Sequence, residues 1–186
     1  MNAPSMADLQ RYKPRWAGTL ELNIGDQWRA TWVNEQELPE HAPVFYLYAM
    51  VFKGDKAYVT RPEGSSEAWR TVEGDLEPGE TVDGALARMA MEQVGATVKR
   101  TSLVGFLECK ATTHNPDFEA GLVTVRPLYV VVADSVEPIP DGAGYERRRL
   151  PLNEHMAAIR KRYPELDQDL AKGAQVYAVM QARGEA

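Results

Sequence analysis

From Val44 to Phe52 the chain runs for nine residues without a charge and includes four aromatic side chains. That is about half of the ~18–20 apolar residues a membrane-spanning helix needs, and the aromatic and β-branched content favours a strand over a helix. A strand with no polar face has to be covered on both sides, so the rest of the chain must supply a layer above it and a layer below. With 186 residues, 44% of them hydrophobic and 26% charged, the chain is long enough to do so as one domain. Nothing longer and equally apolar occurs, so no membrane partner is expected. The first thirteen residues contain Asp8 and Arg11 and lack the apolar stretch of a signal peptide. The single cysteine, Cys109, has no partner for an internal disulfide, which points to the cytoplasm. A net charge of −6 argues against binding duplex nucleic acid.

Residues 1–13 read as a disordered N-terminus and residues 14–40 as a β-hairpin extension. In the hairpin Leu20, Leu22 and Ile24 alternate with Glu21 and Asn23, Gly25-Asp26 turns the chain, and Trp28, Ala30 and Trp32 alternate with Arg29 and Thr31. The two tryptophans share a side, where they either cover the main sheet or form the subunit interface of a homodimer. The main body spans residues 41–186. Its further strands are Ala57–Thr60, Leu103–Cys109 and Val123–Ala133. The spacing of Leu86, Ala90 and Val94 predicts a helix over 81–94, ended by Gly95, with Arg88, Met89, Glu92 and Gln93 on the opposite, solvated side. A helix capped by Asn153 and broken by Pro164 follows, then a last helix over 165–181 with Leu166, Leu170, Ala174 and Ala178 facing inward.

The stretch Gly74-Asp75-Leu76-Glu77-Pro78-Gly79-Glu80, continued by Arg88, Glu92 and Gly95, resembles the signature of the Nudix hydrolases, Gx5Ex7REUxEExGU with U a bulky aliphatic residue. Five of its nine fixed positions are in register: Gly74, Glu80, Arg88, Glu92 and Gly95. The Glu77-x-Gly79-Glu80 end of the loop and a strand led in by Trp69 are further features of that family, and the likeness extends from Val44 to Ile159. It implies an α/β/α sandwich around a mixed β-sheet and the hydrolysis of nucleoside diphosphates linked to another group. Cleaving a diphosphate with water calls for divalent cations, Mg2+ or Mn2+, held by several hard carboxylate oxygens. Helical spacings of three and four bring such carboxylates onto one face. The resemblance assigns metal binding to Glu80 and Glu92, catalysis to Glu92 and to Arg88 as the orienter of a carboxylate, and the backbone lining the phosphates to Gly74 and Gly79.

Where the family has REUxEE, this chain has Arg88-Met89-Ala90-Met91-Glu92-Gln93. Met89 offers a soft thioether that magnesium does not favour, and Gln93 keeps a carbonyl oxygen without the charge. Val72-Glu73 also precedes Gly74 where many members have proline and glycine. Two readings stay open. In one, Glu80 and Glu92 keep a weakened metal site, completed by Glu108, Asp117 or Glu119, and hydrolysis of a nucleoside diphosphate derivative is weak or lost. In the other, the fold serves as a metal-free ligand-binding or protein-interaction module with no cofactor. Other chemistry-bearing residues have plainer readings. His114 is an exposed turn residue, His41 and His155 lack partner spacing, Cys109 is a buried small residue, and Arg147-Arg148-Arg149 is a solvated basic face.

Overall fold

The computed structural model describes residues 11–14, 22–114 and 119–186. Eight strands form one mixed sheet: β1 (Leu22–Ile24), β2 (Trp28–Val33), β3 (Tyr46–Lys53), β4 (Lys56–Pro62), β5 (Val72–Asp75), β6 (Ala96–Ala111), β7 (Val123–Val136) and β8 (Tyr145–Pro151). Their order is β1-β2-β6-β7-β3-β4-β8, with β5 also paired to β3. β3 runs parallel to β7 along one edge. Its other edge is shared, the first half pairing with β5 and the last residues with β4, both antiparallel.

The uninterrupted apolar run behaves as its composition requires. Leu47, Ala49 and Val51 enter one core, and Tyr48, Met50 and Phe52 enter the other. On the first face lies helix α1 (Val82–Val94), which contributes Ala85, Leu86, Met89, Ala90 and Val94. On the second lie α2 (Leu152–Ile159), a 3-10 turn (Pro164–Leu166) and α3 (Asp167–Ala182). There the Tyr177 ring stacks on Phe52 at 4.3 Å, and α3 approaches so closely that a Cβ on Gly173 would lie 2.4 Å from the Met50 sulfur. The result is the expected α/β/α sandwich.

The hairpin is present and is continuous with the main sheet, because β2 pairs with β6 from Trp28 opposite Ala111 to Val33 opposite Phe106. Leu20 and Glu21 lie outside the described residues. Trp28 and Trp32 pack against the second core, and Trp32 lies over Gly105, where a Cβ would come within 2.4 Å of its ring.

Several expectations need correction. Residues 1–13 are not all loose: Tyr12 is buried and its hydroxyl donates to Glu108 at 2.7 Å, giving a buried carboxylate the donor it needs. α2 begins at Leu152 with Pro151 before it, and Asn153 makes no capping hydrogen bond. The inward face of α3 is Leu170, Gly173, Tyr177 and Met180, while Ala178 is exposed. Steps of four residues drift ~40° around a helix, so a stripe read at constant spacing of four rotates out of the core. β6 extends well beyond 103–109, as its long pairing with β7 shows.

His155 carries a consequence for acid stability. It is 1% exposed, meets Phe52 edge-on at 5.2 Å, and its Nε2 has no hydrogen-bond partner. Burial pulls its pKa down to about 4. The unfolded chain, with an ordinary value of ~6.5, therefore takes up this proton first as the pH falls. The neutral imidazole's stabilisation is complete above about pH 6.5 and is lost towards about pH 4, amounting to ~3 kcal/mol at the lower end. Thermal melts across that window should show the melting temperature of His155→Leu falling less steeply with acid than that of the parent.

Candidate functional site

The loop and helix that resemble the Nudix signature are built from local rules. Thr81 caps α1, its hydroxyl accepting from the Gly84 N–H at 3.0 Å, and Asp83 adds negative charge to the first turn. At the other end Gly95 adopts φ 70°, and a Cβ there would lie 2.0 Å from the Glu137 carbonyl oxygen. Arg147, read from sequence as part of a solvated face, donates to the Val94 and Glu137 carbonyls instead. It thereby closes the C-terminus of α1 with a cation, as helix ends favour.

Arg88 organises the loop. Its Nε and Nη2 each lie 2.8 Å from a Glu80 oxygen in a bidentate pair, Nη2 donates to the Asp75 carbonyl at 3.1 Å, and Nη1 reaches Glu92 at 3.2 Å. The Glu77 N–H donates to the same Glu80 carboxylate at 2.8 Å, across the turn in which Gly79 takes φ 80°. The Arg88 hydrogen bonds, followed by that of Glu77, hold the Glu80 pKa below the usual carboxylate range. In turn Glu80 raises the pKa of Arg88. The structure thus brings Gly74, Gly79, Glu80, Arg88 and Glu92 together, with both Glu80 oxygens already engaged by the arginine. Glu92 is the freest carboxylate of the set, its side chain 43% exposed.

Met89 and Gln93 do not face solvent as their helical positions suggested. Met89 is 1% exposed and Gln93 2%. The Met89 thioether packs beneath Gly74, where a Cβ would lie 3.5 Å from its Sδ. The Gln93 amide clasps β5 by its backbone: Nε2 donates to the Glu73 carbonyl at 2.8 Å and Oε1 accepts from the Glu73 N–H at 3.4 Å. The apolar face of α1 is wider than the Leu86, Ala90, Val94 stripe, because positions 85, 89 and 93 also turn towards the sheet.

The residues proposed to complete a metal site lie apart. Glu108 is fully buried in β6, three strand spacings or ~14 Å across the sheet from β5, and accepts from Tyr12. Glu119 is exposed and pairs with His114 at 2.8 Å. Asp117 lies outside the described residues. Among the described residues no three His, Cys, Asp or Glu side chains converge as a metal-binding group. A divalent cation of the magnesium type needs several hard oxygens at one point. Here the helix offers Glu92, a Glu80 bound to Arg88, a buried thioether and an amide already bonded to backbone, and this donor set does not fit such an ion. Burial pushes the Cys109 thiol up to about 11, which leaves no thiolate for nucleophilic chemistry.

Sequence reasoning missed a second group of polar residues. Glu73 is 3% exposed and faces the side of the sheet opposite α1, where Tyr163 Oη donates to it and Arg162 pairs with it at 3.1 Å. Arg126 of β7 faces the same way. The available signal was a charge set inside an apolar strand: Glu73 after Val72, and Arg126 in Val123-Thr124-Val125-Arg126.

The NUDIX domain family matches residues 41–170. Among solved structures, the chain is similar to a pyrophosphohydrolase from Bacillus subtilis, at 19% identity over 78% of this chain and 89% of that one, with a TM-score of 0.58. It is also similar to a NUDIX hydrolase from Nitrosomonas europaea, at 20% identity over 68% of this chain and 85% of that one, with a TM-score of 0.50. At such identities these likenesses speak for the fold. No curated protein matches the sequence.

The clasp makes a prediction about restoring charge to this helix. Gln93→Glu removes the donor to the Glu73 carbonyl and sets a buried carboxylate against that oxygen, so it should cost ~2–4 kcal/mol at neutral pH. Burial raises the pKa of the new acid, so the cost should shrink as the pH falls and the protonated group regains an O–H donor. Urea melts at neutral and acid pH measure both effects. A variant as stable as the parent at neutral pH would place Gln93 in solvent.

Proposed function

The chain belongs to the Nudix family, and from that premise we propose that it is a relative of the diphosphate hydrolases in which metal-dependent hydrolysis is weak or lost, while the capacity to bind a nucleoside diphosphate derivative or a related small molecule is kept. The observation that carries this reading is the use made of positions 89 and 93. The family signature has carboxylates there, whereas here one side chain fills the core and the other is hydrogen-bonded to backbone. The loop itself is intact: the Arg88–Glu80 pair and Gly79 hold it in a defined turn whatever happens to the metal.

The free, buried Cys109 supports a cytoplasmic setting, and among the described residues no helix is long and apolar enough to cross a membrane. The family match begins at residue 41, which supports reading residues 14–40 as an extension of a core over 41–186. A homodimer would use the outward edge of that extension, where among the described residues β1 pairs on one side only.

Two measurements test the proposal. Nucleoside triphosphates and nucleoside diphosphate sugars incubated with the protein at millimolar magnesium should be turned over slowly or not at all. Calorimetric titration with manganese should show weak binding or none. Robust magnesium-dependent turnover that Glu92→Gln abolishes would overturn the proposal.

A further inference from the structure

On the face of the sheet opposite α1 a cavity of about 310 Å³ opens between the hairpin turn, β3, β5, β7 and the connection from α2 to α3. Tyr46, Tyr48, Glu73, Arg126, Arg162 and Tyr163 line it. Its volume is at the lower end of the range for small-molecule pockets.

The charged groups in this cavity are not equivalent. Glu73 is fully provided for: Tyr163 donates to one oxygen, Arg162 to the other at 3.1 Å, and Arg70 stands 3.6 Å away. Arg126 is not. Its guanidinium lies over the rings of Trp28 at 5.0 Å and Tyr46 at 5.3 Å. Arg162, the other arginine lining the cavity, pairs with Glu73, whereas among the described residues neither Glu73 nor Glu165, the two carboxylates of the lining, forms an ion pair with Arg126. A guanidinium has five N–H donors, and stacking on aromatic faces engages none of them. A cation half-buried between aromatic faces without a counter-ion loses part of its hydration, and an anion entering the cavity would offset that loss.

We propose that this cavity is an anion-binding site in which Arg126 holds the carboxylate or phosphate of a small, single-ring ligand whose flat part lies against Tyr46. The two ends of the cavity differ in charge, and this sets the ligand class. A group at the Arg126 end meets free donors. A second anion at the Glu73 end would meet a carboxylate whose donors are already taken, so ligands charged at both ends are disfavoured. The cavity is lined by no residue of α1, although its Glu73 wall is held from the α1 side by the Gln93 amide.

Phenyl phosphate and benzoate are suitable probes, with phenol as the neutral comparison and EDTA present throughout. Trp28 lies under Arg126, so binding should appear as a saturable change in tryptophan fluorescence, and calorimetry gives the affinity. At least one of the two anions should bind at least tenfold more tightly than phenol, and the one that binds identifies the anion. Arg126→Gln should weaken that binding by about tenfold or more, the loss expected for a charge-assisted hydrogen bond. Arg126→Lys keeps the charge without the planar fork and should bind less tightly than the parent while melting like it. Arg148→Gln, which removes an exposed arginine of β8, should leave the affinity unchanged. Failure of both anions to bind, phenol binding as tightly as either, or undiminished binding in both folded Arg126 variants would overturn the proposal.

Discussion

Glu73 is the residue through which the two faces of this molecule are joined. Its backbone N–H and carbonyl are clasped by the Gln93 amide of α1 on one side of the sheet. On the other side its carboxylate is held by Arg162 and Tyr163, which come from the connection between α2 and α3. β5 is only four residues long and pairs with half of β3, so it has little ladder of its own to fix it. Both helical layers hold it at this residue. A charged side chain buried in a sheet is tolerated because each of its two oxygens has a donor.

The same arrangement gives Met89 and Gln93 of α1 a structural role. An amide both donates and accepts, and it therefore matches a backbone N–H and C=O presented side by side. A carboxylate at position 93 accepts only, and beside a carbonyl oxygen it would need a cation between them. The amide at position 93 makes this contact directly, with no ion needed between helix and strand. Met89 acts in the same direction, its thioether filling the space under Gly74. The Arg88–Glu80 pair survives because its role is mechanical: it ties loop to helix using charges that need no ion.

Much of the fold could be read from periodicity. The alternation in β2 and the double-sided burial of β3 follow from which residues are apolar, and the ends of α1 follow from Thr81 and Gly95, whose chemistry acts within a few residues. The site was legible as a motif, but the direction of its side chains was not. A stripe at positions 86, 90 and 94 marks the centre of the buried face and says nothing about its width, which the sheet determines. Polar contacts between distant segments were beyond reach for the same reason. Glu73 meets Arg162 and Tyr163 across 89 and 90 positions, and Arg147 meets Val94 across 53. Nothing local to those residues distinguishes an internal clamp from a solvated charge.

The arginines also show how an acidic protein can be receptive to anions at one point. Arg88, Arg147 and Arg162 are spent on carboxylates and carbonyl oxygens that fix a loop, a helix end and a strand. Much of this positive charge therefore does its work within the fold, and because it is largely matched there by carboxylates the protein as a whole keeps its net charge of −6. Such a net charge repels polyanions at a distance, whereas a cation inside a narrow cavity is screened less and discriminates by shape as well as by charge. Arg126 is in that position, facing a cavity whose two lining carboxylates, Glu73 and Glu165, form no ion pair with it among the described residues. Its aromatic neighbours keep the guanidinium plane oriented without neutralising it, and that favours a small flat anion over an extended one.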